Sequence, residues 1–292
     1  MSVDKLQEKI RKLKNPSVLD FNMLPEHIPP HIREDDSYFA SAYEYFCTHL
    51  LQGLKGTVPA VRFSLGMMSL YGPDGLAALA NLLRTARSLG YYILLDAPNA
   101  FSARDAVRTA ELLLGENSGL EFDGLITSAY IGSDALRPIC EKMKDTDRDL
   151  FVMVRTANKT APELQDLLTG SRLVHMAAAD VVNRLAQPLT GRSGYSRVAA
   201  VAAASAPDSA RMLRSKYKSL FLLLDGYDYP NANAKNCSAA FDALGHGAAA
   251  CAGTSITAAW QTYPEDAGDF VRLAVEAAER MRKNLTRYVT VL

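Results

Sequence analysis

Short apolar runs rich in Val, Ile, Leu and Phe recur along this chain, each followed by polar turn residues and then by a helical pattern. A run that is apolar throughout, without alternation, fits a strand buried on both faces. The pattern predicts strands at 17–20, 58–65, 91–96, 122–127, 150–156, 197–203, 220–225 and 247–251. Helical spacing predicts helices at 36–54, 73–89, 102–114, 133–144, 161–185, 207–215 and 264–287. Pro73, Pro162, Pro207 and Pro264 each fall where a first helical turn tolerates a missing N–H. Ser102 and Ser133 are read as N-caps, followed by Asp105 and Arg137.

Eight apolar strands alternating with helices predict the α/β class and a parallel sheet closed into a (β/α)8 TIM barrel. No tract rich in Pro, Gly or Ser divides the chain, so residues 1–292 are expected to form one domain with an N-terminal helical extension. The alanine-rich run 199–206 suits a barrel strand that meets large side chains from its neighbours. In such a barrel, chemistry collects at the C-terminal ends of the strands. Those ends carry Asp20, Arg62 (within its strand), Asp96, Thr127, Arg155, Thr156, Asp225 and the turn at Gly253, Thr254 and Ser255.

Composition narrows the partners. The 292 residues hold 32 Lys and Arg against 32 Asp and Glu, with no long run of either sign, so no concentrated basic face is expected for nucleic acid or a membrane surface. The opening segment MSVDKLQEKIRKLK is charged and amphipathic, and no stretch approaches the roughly 20 apolar residues of a membrane span. A cytoplasmic protein is expected. Cys47, Cys140, Cys237 and Cys251 lack CxxC spacing, and the five histidines lack HxxxH pairing, which argues against a zinc site or a disulfide scaffold. The GRSGYS turn at 191–196 lacks the spacing and the lysine of a phosphate loop and reads as the entry to strand six. Met67, Met68, Tyr38, Tyr43 and Tyr45 read as packing residues before cavity lining.

Five segments, in order and at matching spacing, resemble the longer-chain bacterial branch of the orotidine 5′-phosphate decarboxylase family. FDGLITSAYIGSDALRPI (122–139) is similar to the family's FDAxTVNPYLGxDxxxPF, and VRTANKTAPELQDL (154–167) to VKTSNPSSxxxQDL. GYSRVAAVAAASAPD (194–208) resembles GYSxVGAVVGATxPE. DGYDYPNANAKN (225–236) stands where the family has PGYGAQGG, and YYILLDAPNAFSARDA (91–106) stands where it has VILDxKRxDI. The resemblance implies decarboxylation of orotidine monophosphate without a cofactor. It implies a lysine that delivers the proton replacing carbon dioxide, within an Asp-x-Lys-x-x-Asp motif whose last acid is lent across a dimer interface.

Residue by residue, much of that machinery is replaced. The first acid of the motif is Asp96, but Pro98 holds the lysine position and Phe101 the second acid, and no lysine lies between Leu82 and Arg137. Proline has no proton to donate and no charge to stabilise a carbanion. The phosphate-binding glutamine and arginine of the family fall on Pro230 and Thr254, and the pyrimidine-reading serine on Ala157. The proline opening the seventh-strand turn has become Asp225, and one of its glycines Asp228. Asp20, a ribose ligand in the family, remains, and Arg62 stands for a strand-two lysine. Lys235, Asn231, Asn233 and Asn236 offer a replacement anion grip or simply a solvated loop.

The expected ligand-binding set is therefore Asp20, Arg62, Asp96, Thr156, Asp225 and Thr254, with no confirmed catalytic residue, no cofactor and no metal. Three readings follow. The first is a family member without decarboxylase activity, kept for binding a nucleotide or other small molecule, or as a regulatory partner, in a homodimer or a dimer with an active paralogue. The second is an enzyme of different chemistry in which Asp20, Asp96, Asp225 and Asp228 hold a divalent cation. The third is a true decarboxylase with a replaced proton donor, for which Arg62 is poorly suited because guanidinium keeps its proton near neutral pH.

Overall fold

The computed structural model describes residues 2–34, 39–97, 103–104, 106–115 and 118–292. Eight parallel strands close into a barrel: β1 (Ser17–Asp20), β2 (Ala60–Ser64), β3 (Tyr92–Asp96), β4 (Gly124–Ser128), β5 (Asp149–Met153), β6 (Val198–Ala203), β7 (Leu222–Asp225) and β8 (Ala248–Ala252). Each lies beside its sequence neighbours, and β8 pairs with β1 to complete the ring. The strands are almost wholly buried along their length, as a sheet with helices outside and side chains inside demands. The (β/α)8 expectation holds.

The register decides which side chains share the interior. Asp20 pairs with Arg62, Ser64 with Asp96, Ala203 with Asp225, and Val18 with Cys251. Paired residues project to the same side and alternate along each strand, so Asp20, Arg62, Asp96, Asp225 and Cys251 all face inward near the C-terminal end. Deeper in the barrel, Tyr92, Phe151 and Phe221 meet edge to face, with ring centroids 6.4 and 6.2 Å apart. The alanines of β6 and β8 leave room for these rings, as the composition of 199–206 suggests. Gly124 serves the same end: an added Cβ would lie 2.7 Å from the Phe151 ring and 2.8 Å from Leu94. Gly124→Ala is expected to destabilise the fold by about 1–3 kcal/mol through overpacking. An unchanged urea midpoint would show that the core absorbs the methyl group.

The N-terminal helix α1 (Ser2–Leu13) covers the opposite end of the barrel with Val3, Leu6 and Ile10, each fully buried. It is pinned to residues that enter the strands. The Asp4 carboxylate accepts from the Ser193 and Arg192 amides at 2.8 and 3.2 Å, and Gln7 accepts from the Gly247 amide at 3.0 Å. Residues 191–196 form the turn expected before β6, with Gly191 N–H donating to Tyr195 O at 2.7 Å.

Two local readings need correction. The helix expected over 161–185 is broken into Pro162–Gln165 and Val174–Ala186, with a hairpin of Leu168–Thr169 and Arg172–Leu173 between them. Gly170, at φ +64°, makes the turn that a continuous helix would not permit. Ser133 is the first residue inside its helix, and Gly132, at φ +88°, occupies the cap. Ser102 and Asp105 lie outside the described residues. Tyr43 and Met68 are fully buried as expected, whereas Tyr45 is half exposed and Tyr38 lies outside the described residues. No helix among the described residues is long and apolar enough to cross a membrane.

Candidate functional site

At the C-terminal mouth of the barrel, Arg62 reaches up from β2 into a ring of carboxylates. Its Nη1 donates to Asp225 Oδ1 at 2.6 Å and lies 3.5 Å from Asp20 Oδ2, while its Nη2 is hydrogen-bonded to Asp96 Oδ2. Arg62 is 5% exposed, and its Nε, also buried, has no hydrogen-bond partner among the described residues. Burial opposes the guanidinium charge, but Asp20, Asp225 and Asp96 outweigh it and hold the Arg62 pKa well above its ordinary value. The Cys251 thiol lies against the same guanidinium, and burial pushes its pKa well up.

Three carboxylates against one guanidinium leave the cluster acidic. Burial raises the Asp20 pKa to about 6; Arg62 pulls it down and Asp225 pushes it up. The mouth therefore gives up part of its negative charge to a proton just below neutrality. Asp20 Oδ1 also accepts from the Asn22 amide at 3.0 Å, which fixes the carboxyl at the start of its loop.

Above this cluster opens a cavity of about 270 Å³, lined by Asp20, Asn22, Arg62, Asp225 and Cys251 and, across the rim, by Asp228, Tyr229 and Thr254. Asp228 Oδ2 accepts from the Gly253 amide at 2.6 Å and lies 3.4 Å from the Thr254 hydroxyl. Tyr229 also borders a second cavity of about 450 Å³, whose other walls include Arg155, Asn158, Lys159, Ser205 and Asn231. Its ring packs over Gly226, where a Cβ would meet it at 2.4 Å and meet Ala157 at 2.7 Å, so the φ of +75° there cannot be served by a larger residue. A larger depression of about 750 Å³ lies outside the barrel, between helices Ala106–Leu114 and Ser133–Lys144, away from the strand ends.

Of the sequence-nominated residues, the structure brings together Asp20, Arg62, Asp96 and Asp225, with Thr254 on the rim. Thr156 is held elsewhere. Its amide donates to Gln165 Oε1 at 2.8 Å, and its hydroxyl accepts from Gln165 Nε2 at 2.7 Å and donates to Asn158 Oδ1 at 2.5 Å. Beside it, Arg155 grips Asp166 through two nitrogens, each at 3.0 Å. These bonds hold the loop after β5 as a scaffold. Pro98 and Phe101 lie outside the described residues. Position at the strand ends points to the cluster in the sequence, whereas the hydrogen bond of Asp228 to Gly253 and the place of Tyr229 between two cavities emerge only in the folded barrel.

Asp20, Asp225 and Cys251 place potential metal-ligand atoms within 4.8 Å of one another. The cation among them is already the Arg62 guanidinium, and Asp228 is turned toward the β8 loop. A divalent ion at the two acids would sit in contact with a fixed positive charge, so this donor set does not fit one.

No protein-family model matches the chain. The orotidine 5′-phosphate decarboxylase of Rhodopirellula baltica is 28% identical over 232 residues, covering 76% of this chain and 77% of that protein. The protein of the same name from Petrotoga mobilis is 24% identical over 290 residues, 98% of each. Among solved structures, Leishmania donovani OMP decarboxylase superposes with a TM-score of 0.71 at 22% identity, over 97% of this chain and 98% of that one. Plasmodium berghei orotidine 5′-monophosphate decarboxylase gives 0.74 at 14% identity, over 95% and 98%. These structural likenesses bear on the fold, and the sequence matches extend them. In sequence and in fold, this chain is a homologue of the orotidine 5′-phosphate decarboxylases.

Proposed function

We propose that the chain is an orotidine 5′-phosphate decarboxylase-like barrel without decarboxylase activity, kept to bind a small molecule at its mouth or to act as a regulatory or partner subunit. The observation that carries this reading is the state of Arg62. It is the one cation lining the mouth cavity among the described residues, and it is held by three carboxylates. A guanidinium does not deliver a proton near neutral pH, and one already paired to three acids has little field left for a developing carbanion. Pro98, at the position where the resemblance calls for a lysine, supplies neither proton nor charge.

Pairing through the mouth side is part of the proposal. Leu70, Leu164 and Leu168, on segments that follow β2 and β5, are 84%, 71% and 73% exposed, and a second subunit seated on this side would bury them. The partner is a second copy of this chain or a catalytically intact homologue.

The test is direct. Purified protein is incubated with orotidine monophosphate, and carbon dioxide release is followed. No conversion above the uncatalysed background is expected. Turnover that disappears in Asp96→Ala would overturn the reading, since it would show that the mouth performs the reaction with another proton donor.

A further inference from the structure

We infer that Asp228 is a specificity-determining residue, one that bars phosphate-bearing ligands from the mouth and leaves it to uncharged, hydroxyl-bearing molecules. The inference rests on the reading above, that the mouth binds ligands without decarboxylating them, and adds which ligands it refuses.

The cation and the β8-loop donors of the cavity are already engaged by carboxylates of the chain; Asn22 and Tyr229 complete its polar lining. Its lining cation, Arg62, is bound to Asp20, Asp96 and Asp225. Two further donors face it from the loop after β8, the Gly253 amide and the Thr254 hydroxyl. Both are directed at a single oxygen, Asp228 Oδ2, at 2.6 and 3.4 Å. A carboxylate of the chain itself thus holds the place a ligand oxygen would need. A phosphate that displaced Asp228 would still stand beside Asp20 and Asp225 on the cavity wall, with like charges at short range. A neutral hydroxyl meets no such penalty, because it can donate to these carboxylates.

Buried His175, with Nδ1 2.9 Å from Gln165 O and 3.1 Å from Asp166, forms part of the scaffold after β5.

Isothermal titration with inorganic phosphate and with uridine monophosphate, on the full chain, tests the inference. The wild type is expected to bind both weakly, Asp228→Ala to bind both at least about tenfold more tightly, and Asp228→Asn, which keeps an acceptor but no charge, to fall between. Circular dichroism and the melting temperature establish that each variant is folded. Two results overturn the inference: phosphate binding as tight in the wild type as in Asp228→Ala, or a folded Asp228→Ala that binds no better than the wild type. Neither readout involves turnover, so the carbon dioxide assay and this titration fail independently.

Discussion

Replacing Arg62 by alanine is expected to cost about 3–5 kcal/mol of folding free energy at pH 7, the range for breaking a buried ionic cluster by removing one partner. Arg62 is 5% exposed, and the side chains of Asp96, Asp20 and Asp225 are 11%, 17% and 20% exposed. Without the guanidinium, three carboxyl groups face one another across a void left by a large side chain. The void alone costs something, but the uncompensated charge dominates, because each carboxylate was desolvated on the strength of that one cation. The deficit should therefore shrink as pH falls, because protonation within the uncompensated carboxyl cluster relieves the repulsion. Arg62→Lys should recover part of the loss, since it restores charge but not a planar fork able to reach three acids at once. Urea denaturation of both variants and the wild type at pH 7 and near pH 4.5 measures this. A deficit below about 1 kcal/mol, or one that does not depend on pH, would mean that the cluster is not held by charge.

The same cluster marks how much of the molecule was legible in the sequence. Eight strands buried on both faces read as eight unbroken apolar runs, and Asp20, Arg62, Asp96 and Asp225 stand out as charged residues at or near their C-terminal ends, whereas their common inward direction comes from the register of the closed barrel. The segment 161–185 carries the rhythm of one helix in its sequence because Leu164, Leu167, Leu168 and Leu173 continue a helical spacing. Of these, Leu164, Leu167 and Leu168 are exposed, and only Gly170 marks the turn that breaks the run. Thr156 stands at a strand end, where the barrel's chemistry is expected. Its engagement by Gln165 depends on a short helix folding back over nine residues, which no local pattern encodes. Asp228 and Gly253 are 25 residues apart, on loops after different strands, so their hydrogen bond exists only once the barrel has closed. Sequence placed the acids at the mouth; closure of the barrel decided which acid holds which donor.

Asp20 should give the mouth a measurable response to pH. Its carboxyl titrates near 6 in the folded chain against an ordinary value of 3.8, chiefly because burial disfavours the charged form. A group that holds its proton more tightly when folded contributes stability that is fully present below about pH 4 and is lost as pH rises through 6. The separation of roughly two pH units corresponds to about 3 kcal/mol at most, and water reaching a side chain that is 17% exposed reduces it. Other acids act with the opposite sign. Against the cost of burial, hydrogen bonds from Ser193 and Arg192 hold the Asp4 pKa low, and bonds from Tyr195, His246 and Leu244 do the same for Asp242, so their contributions are lost as pH falls below the ordinary carboxylate range. The wild-type profile alone therefore mixes both trends. Asp20→Asn, which mimics the protonated acid at every pH, separates them. Its stability relative to the wild type should rise between pH 4 and 7.5 by an amount approaching about 3 kcal/mol, most steeply near pH 6. Urea midpoints for the two proteins across that range provide the measurement. A difference that stays level would show that Asp20 ionises in the folded chain as it does in water, and that Arg62 fully offsets its burial.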